Sequence, residues 1–239
     1  MLVFSSLLLA GCQNGDTPPV AANTPAPLST SDVPPATPSP TTSATPAATP
    51  DPLPVKKSGL EALPGVKAPK LSKIVKAKFT TTQGELLIEI YPEAAPGASK
   101  RFIELIKAGF YDNTPIFRVE PGFVCQFGIN SKPGMVSWKD KMFPDDPSYF
   151  QLGEGTLAFA KAGPDTNSTQ VFINYGDNSG LVSQGFTAFA KVVKGYEQTT
   201  KFKQVPEAGD QGALWSDTDG FIKSLPNKPD SITKAEIIK

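Results

Sequence analysis

Histidine does not occur anywhere in the 239 residues. Its absence removes Ser–His and Cys–His nucleophilic machinery together with the commonest zinc ligand. Cysteine is almost as scarce, with only Cys12 and Cys125. One lies at the chain start and the other in an apolar stretch, so no disulfide between them is expected. With no base beside it, Cys125 reads as a buried, inert thiol. Excess charge of either sign is also missing: 23 basic residues balance 23 acidic ones. With no basic stripe or RNA-reading motif, nucleic acid is not expected as a partner. Nothing in the pattern calls for a metal or any other cofactor.

No apolar run is long enough to cross a bilayer as a helix. The longest at the N-terminus, Leu2 to Gly11, fits the apolar centre of a secretory signal. It ends in Leu9-Ala10-Gly11-Cys12, which resembles the lipobox of bacterial lipoproteins. That resemblance implies export, cleavage before Cys12 and lipidation of its thiol. The chain would then be anchored to a bacterial membrane, on the periplasmic or thylakoid-lumen side. Two or more acyl chains hold a protein stably where one binds marginally. The pattern departs from the usual one in having no Lys or Arg ahead of the apolar run. The competing reading is an ordinary signal peptide with a chance cysteine.

Lys and Arg are missing before Lys56, and only Asp16, Asp32 and Asp51 are charged there. Residues 13–70 hold 14 of the 25 prolines, amid Thr, Ala and Ser. Such a segment cannot bury enough apolar surface to offset chain entropy, so disorder is expected. Its prolines favour an extended, semi-rigid spacer. Residues 1–12 are thus assigned to the signal and lipobox, 13–70 to the spacer and 71–239 to a single folded, monomeric domain.

Within that domain, Ile74–Thr80 and Glu85–Tyr91 alternate in the period of a strand around Gln83-Gly84, which signals a hairpin. Pro96 opens an amphipathic helix with Phe102, Ile103, Leu105 and Ile106 on one face, and Gly109 stops it. Further strands are expected around Pro121-Gly122, at 155–160, 170–174, 186–193 and 231–238, with a second helix over 195–203. The irregular segment 130–154 is long enough to be either functional or pinned by packing. About eight strands and two separated helices point to a closed antiparallel barrel, mainly β with α+β content.

One stretch carries chemistry. Ile116 to Gln126 reads as two short strands pinched at Pro121-Gly122, and alternation gathers Arg118, Phe123 and Gln126. A permanent cation, an aromatic ring and an amide make a site that binds and polarises with no proton to trade.

Phe117-Arg118-Val119-Glu120-Pro121-Gly122-Phe123-Val124-Cys125-Gln126 resembles the signature of the cyclophilin peptidyl-prolyl isomerases, and so does Ala158–Ile173 with its Ala162-Gly163-Pro164-Asp165-Thr166-Asn167-Ser168 turn. The order of hairpin, helix and strands matches over roughly residues 73–239. The resemblance implies an eight-stranded cyclophilin-like barrel capped by two helices. It also implies cofactor-free cis/trans isomerisation of the bond before proline. By position, Arg118 matches the catalytic arginine, and Gln126 the amide that bonds the substrate and steadies it. Phe123, Val124, Phe172 and Leu181 match the pocket for the proline ring, with Phe186 beside it where eukaryotic members carry His. Ala160, Lys161 and Gln170 match the rest of the groove, where the backbone at position 161 would meet the peptide. The implied partners are proline-containing segments of exported proteins.

The chain departs from the family in four places. Gln126 is followed by Phe127-Gly128-Ile129 in place of Gly-Gly-Asp, and Gly180 precedes Leu181 where many members have Trp. Lys161 replaces Asn, and Phe186 stands at the His position. These departures keep open a second class of function, a catalytically weak chaperone or assembly module that only holds proline-containing peptides. A small-molecule-binding barrel of lipocalin type is disfavoured, because the inward positions are too bulky to leave a cavity.

Overall fold

A computed structural model describes residues 59–239; Cys12, the signal and the spacer up to residue 58 lie outside the described residues. Eight strands close into an antiparallel barrel in the order β1-β2-β7-β5-β6-β4-β3-β8. They are β1 (Val75–Thr81), β2 (Gly84–Ile90), β3 (Thr114–Glu120), β4 (Val124–Phe127), β5 (Thr156–Phe159), β6 (Val171–Asn174), β7 (Ala190–Lys194) and β8 (Ser231–Ile238). The expected hairpin forms with Val75 opposite Ile90 and Thr81 opposite Gly84. Closure leaves no free sheet edge, which removes the usual template for edge-to-edge association.

The barrel is filled. Helix α1 (Pro96–Lys107) starts on Pro96 and turns Ala98, Phe102, Leu105 and Ile106 inward. Phe102 reaches Phe189, Tyr111 and Phe79 with ring centroids 5.0, 5.4 and 5.7 Å away. Phe127 closes the cluster against Tyr111 at 5.4 Å. This mixture of stacked, tilted and edge-to-face packing adds to the burial of each ring, and among the described residues it fills the space a lipocalin-like cavity would need.

The second helix is a correction. Over 195–203 only one turn forms, α2 (Tyr196–Thr199), followed after a 3₁₀ turn at 206–209 by α3 (Gln211–Ser216) and α4 (Thr218–Ser224). Gly195 takes a φ of +80°, and a Cβ there would stand 2.0 Å from the Glu85 carbonyl oxygen. The chain enters α2 pressed against β2, and at its far end the Thr199 and Thr200 hydroxyls donate to the Tyr196 and Glu197 carbonyls, local bonds that compete with continuing the helix. Helices α3 and α4 carry their own caps, with the Asp210 and Asp217 carboxylates accepting from the amides of Ala213 and Gly220. This segment buries Val205, Ala208, Leu214 and Leu225 with Phe117 and Ile129.

Two other expectations also shift. The strand expected over 186–193 begins only at Ala190. Residues 186–189 form no regular element, although Phe189 still donates its amide to the Leu157 carbonyl. Residues 59–70, assigned to the spacer by composition, pack on the barrel. Ala62 bridges Phe150, the Leu63 amide donates to the Tyr149 carbonyl, and Leu60 and Ala68 join an apolar cluster with Tyr91 and Phe150. A few apolar side chains with a free backbone to pair suffice, and an average over the proline-rich segment conceals them.

The long segment 130–154 is pinned by two neighbouring carboxylates. Asp146 accepts from the Gly97 and Ala98 amides, capping α1, while Asp145 accepts from Lys161 and Asn167.

Candidate active site

Pairing of β3 with β4 sets Arg118 opposite Gln126, and pairing of β4 with β6 sets Gln126 opposite Phe172. The turn between β3 and β4 is closed by donation from the Phe123 amide to the Glu120 carbonyl at 3.0 Å. It brings the Phe123 ring beneath the guanidinium, with the Arg118 Cζ 5.6 Å from the ring centroid. A cation so placed over a ring face is attracted by its quadrupole.

The guanidinium is held from two sides. Arg118 donates through Nε to Glu120 Oε1 at 2.8 Å, and its NH2 lies 2.7 Å from the same oxygen. Through NH1 it donates to Gln126 Oε1 at 3.3 Å. Gln126, nearly buried, passes the polarity on: its Nε2 donates to Gln170 Oε1 at 2.7 Å, and Gln170 Nε2 donates to Gln211 Oε1 at 3.1 Å. This chain of amides fixes which end of Gln126 faces Arg118. Each oxygen accepts and each NH₂ donates in one direction, away from the cation.

Beside the cation lies an apolar pocket. Val124 and Phe172 are buried, and Phe123, Ala160, Leu181 and Phe186 pack around them half-exposed. Phe186 meets Phe172 edge-on with centroids 5.7 Å apart. Gly180, on the rim before Leu181, faces open space, with nothing within 4 Å of where a Cβ would stand.

Nine of the ten positions singled out from sequence therefore converge: Arg118, Phe123, Val124, Gln126, Ala160, Gln170, Phe172, Leu181 and Phe186. The tenth, Lys161, is matched to the groove through its backbone, and its side chain is engaged beside the pocket, with Nζ 5.3 Å from the Phe186 ring centroid. Its Nζ is paired with Asp145, donates to the Gly185 carbonyl at 3.0 Å and is only 4% exposed, so that ammonium is a structural pin. Sequence reasoning missed two members. Glu120 lies on the Arg118 face of β3 by simple alternation, a signal that was available. Gln211 comes from a distant helix start that no local pattern ties to the site.

The Phe127-Gly128-Ile129 departure has a structural account. Phe127 fills the barrel, Ile129 packs under α3 and α4, and Gly128 lets β4 pass close to residue 169. A Cβ at Gly128 would stand 2.4 Å from the Thr169 carbonyl oxygen. Cys125 is a free, buried thiol among the described residues, and burial pushes its pKa up to about 12. It points into the barrel core and takes no part in the site.

With this geometry in place, comparison with known proteins is decisive. Residues 76–237 match the family model of cyclophilin type peptidyl-prolyl cis-trans isomerases. The chain belongs to that family. Peptidyl-prolyl cis-trans isomerase A of Dickeya dadantii is 30% identical over 67% of this chain and 83% of its own length. Peptidyl-prolyl cis-trans isomerase-like 3 of Dictyostelium discoideum is 33% identical over 53% of this chain and 80% of its own. Among solved structures, a cyclophilin type isomerase from Cryptosporidium parvum shares the fold with a TM-score of 0.53 at 24% identity. That match covers 70% of this chain and 99% of the other. The cyclophilin barrel is thus the fold, and peptidyl-prolyl cis-trans isomerisation is the activity of the family.

Proposed function

We propose that this cyclophilin isomerises X–Pro bonds in exported proteins while tethered to a membrane through a lipidated Cys12, with Arg118 as the catalytic cation. The observation that carries the catalytic part is the Arg118 guanidinium, fixed by Glu120 and Gln126 beside the pocket of Phe123, Val124, Phe172 and Leu181.

The barrier to rotation, about 18–20 kcal/mol, comes from amide conjugation. Uncatalysed exchange takes tens to hundreds of seconds. Bringing it to milliseconds requires roughly four to five decades, or about 5.5–7 kcal/mol at 1.36 per decade. No bond breaks, so no acid or base is needed. The site must instead bind the twisted amide more tightly than either planar isomer. As the amide twists, the prolyl nitrogen becomes pyramidal and regains its lone pair. A guanidinium donor aimed at that nitrogen stabilises it, and the apolar pocket that grips the ring keeps water away. Arginine suits the task because it stays charged and its fork is rigid. A chain without histidine loses nothing by this route.

The tether rests on Leu9-Ala10-Gly11-Cys12, and the proline-rich residues that follow would hold the barrel off the lipid surface. Two measurements test the proposal. Exchange NMR on an Ala-Pro peptide should show isomerisation by the wild type and its loss in Arg118→Ala; equal rates would refute the catalytic assignment and leave a peptide-holding module. Labelling with a palmitate analogue should mark the wild type and spare Cys12→Ser, and equal labelling would remove the lipid anchor.

A further inference from the structure

A second cleft adjoins the catalytic arginine on the flank away from the proline pocket. Its volume is about 360 Å³, and its walls are the 117–120 backbone with Arg118 and Glu120 on one side and Val205, Pro206, Gly209 and Gln211 on the other. That size falls within the range of about 300–1,000 Å³ typical of ligand pockets. Its two walls come from parts of the chain far apart in sequence, β3 and the segment leading into α3. Burial of Val205 and Ala208 against Phe117 locks them together.

We infer that this cleft is a subsite for the polypeptide flanking the X–Pro bond, so that residues 204–211 select among substrates by sequence beyond the proline. The inference rests on the isomerase reading of Arg118. Continuity supports it: Arg118 lines the catalytic site and the cleft alike, and the Gln170–Gln211 hydrogen bond joins the rim of one to the rim of the other. A chain gripped at its proline ring and continuing past Arg118 enters the cleft without a gap.

The chemistry of the walls defines the occupant. Glu120 already neutralises Arg118, so the cleft offers no net charge to a ligand. Val205 and Pro206 give its lining apolar surface, and Gln204 and Gln211 bring side-chain amides to it. This favours an extended, uncharged stretch whose backbone can bond those amides, and it disfavours a run of like charges. Binding energy gathered by such remote contacts is available to steady the reacting amide.

Gly209 gives a direct test. It lines the cleft, and nothing lies within 4 Å of where its Cβ would be. Gly209→Phe should therefore plug the cleft without displacing a neighbour. Isomerisation is compared for a capped four-residue Ala-Pro peptide and for versions lengthened by four uncharged residues on either side. Wild type should gain about tenfold in kcat/KM from one of the two extensions, the equivalent of one decade in affinity. Gly209→Phe should lose that gain while keeping the short-peptide rate within about twofold and the same thermal midpoint. Gln204→Ala, which also lines the cleft but lies outside the amide chain that orients Gln126, serves as the second variant should Gly209→Phe lower the midpoint. No gain from either extension, or an undiminished gain in the variants, overturns the inference. Failure of the isomerase reading shows itself separately, as no turnover of the short peptide by wild type. Calorimetric binding of the long peptides then still decides, with equal Kd in wild type and Gly209→Phe counting against the subsite.

Discussion

Arg118 and Glu120, two residues apart on β3, share a single carboxylate oxygen, with Nε at 2.8 Å and NH2 at 2.7 Å. Both side chains are about two-fifths exposed, and a pair so wet contributes at most about 1 kcal/mol to stability. Its value lies in orientation. Two donors on one acceptor stop the guanidinium from rotating, so it need not reorganise when the amide twists. Glu120→Ala should lower kcat/KM on a short Ala-Pro peptide about three- to tenfold, roughly 0.7–1.4 kcal/mol at 1.36 per decade. The thermal midpoint should stay where it was. An unchanged rate would show that Gln126 alone positions the cation.

The open rim at Gly180 sets a second expectation, for the inhibitor cyclosporin. In the family, the Trp that often precedes the pocket Leu contributes to binding it, and here that position is bare. Wild type should be inhibited weakly. Because a Cβ at 180 would meet nothing within 4 Å, Gly180→Trp should raise affinity by about tenfold, close to 1.4 kcal/mol. Titration of the inhibitor against the isomerase rate measures this. A tryptophan that leaves the inhibition constant unmoved would place the affinity elsewhere in the pocket.

Much of this was legible in the chain because period and motif agreed. Alternation located the 75–81/84–90 hairpin, Pro96 and Gly109 bracketed α1, and the Arg118–Gln126 stretch announced its own turn. Residues whose roles depend on distant partners were not legible. Gln211 reaches Gln170 only because α3 folds back over Phe117, and no local pattern encodes that return. The Lys161 side chain is a second case: only its backbone was matched to the groove, and its ammonium is held by Asp145 from the long loop. Residues 59–70 were hidden by an average: their prolines resemble those of the spacer, and the apolar contacts of Leu60 and Ala68 become visible only against Tyr91 and Phe150. The second helix was misjudged because Thr199 and Thr200 bond back to the carbonyls of their own turn, an option that helical spacing does not reveal.

The Lys161–Asp145 pair makes a stability prediction. The ammonium is only 4% exposed and the carboxylate 23%. Burial raises the Asp145 pKa, but donation from Lys161 and Asn167 outweighs it and holds the carboxyl below its ordinary value. The sign follows: this stabilisation is present above the ordinary aspartate range and is lost as pH falls through the lowered folded value. Asp145→Asn leaves a buried cation with no counter-charge, facing only neutral partners such as the Gly185 carbonyl and the Phe186 ring. Breaking a buried pair costs about 3–5 kcal/mol, and the partial exposure of Asp145 places this one near the lower figure. Urea unfolding at neutral pH measures the loss, and adding Lys161→Met to Asp145→Asn should recover most of it. A single variant as stable as wild type would mean the loop is held by Asp146 alone.

At the opposite end of the pH scale the chain should be fragile. Burial pushes the Cys125 thiol from its ordinary value of 9.0 up to about 12. Burial also raises Tyr111, Tyr175 and Tyr196 above the usual tyrosine value of 10.0. Two of these hydroxyls donate to backbone carbonyls, Tyr111 to Thr169 at 3.0 Å and Tyr175 to Thr199 at 2.6 Å. Neither bond survives ionisation. Between pH 9 and 12 the unfolded chain releases protons that the folded chain keeps, so stability falls as pH rises. The slope is about 1.4 kcal/mol per pH unit for each such proton. Denaturant unfolding should show decline beginning near pH 9 with Cys125 and steepening above 10 as the tyrosines join. Cys125→Ala removes the first component, so its curve should stay flat until the tyrosines titrate. If the variant and the wild type instead began to fall at the same pH, the thiol would not be the group that initiates the alkaline transition.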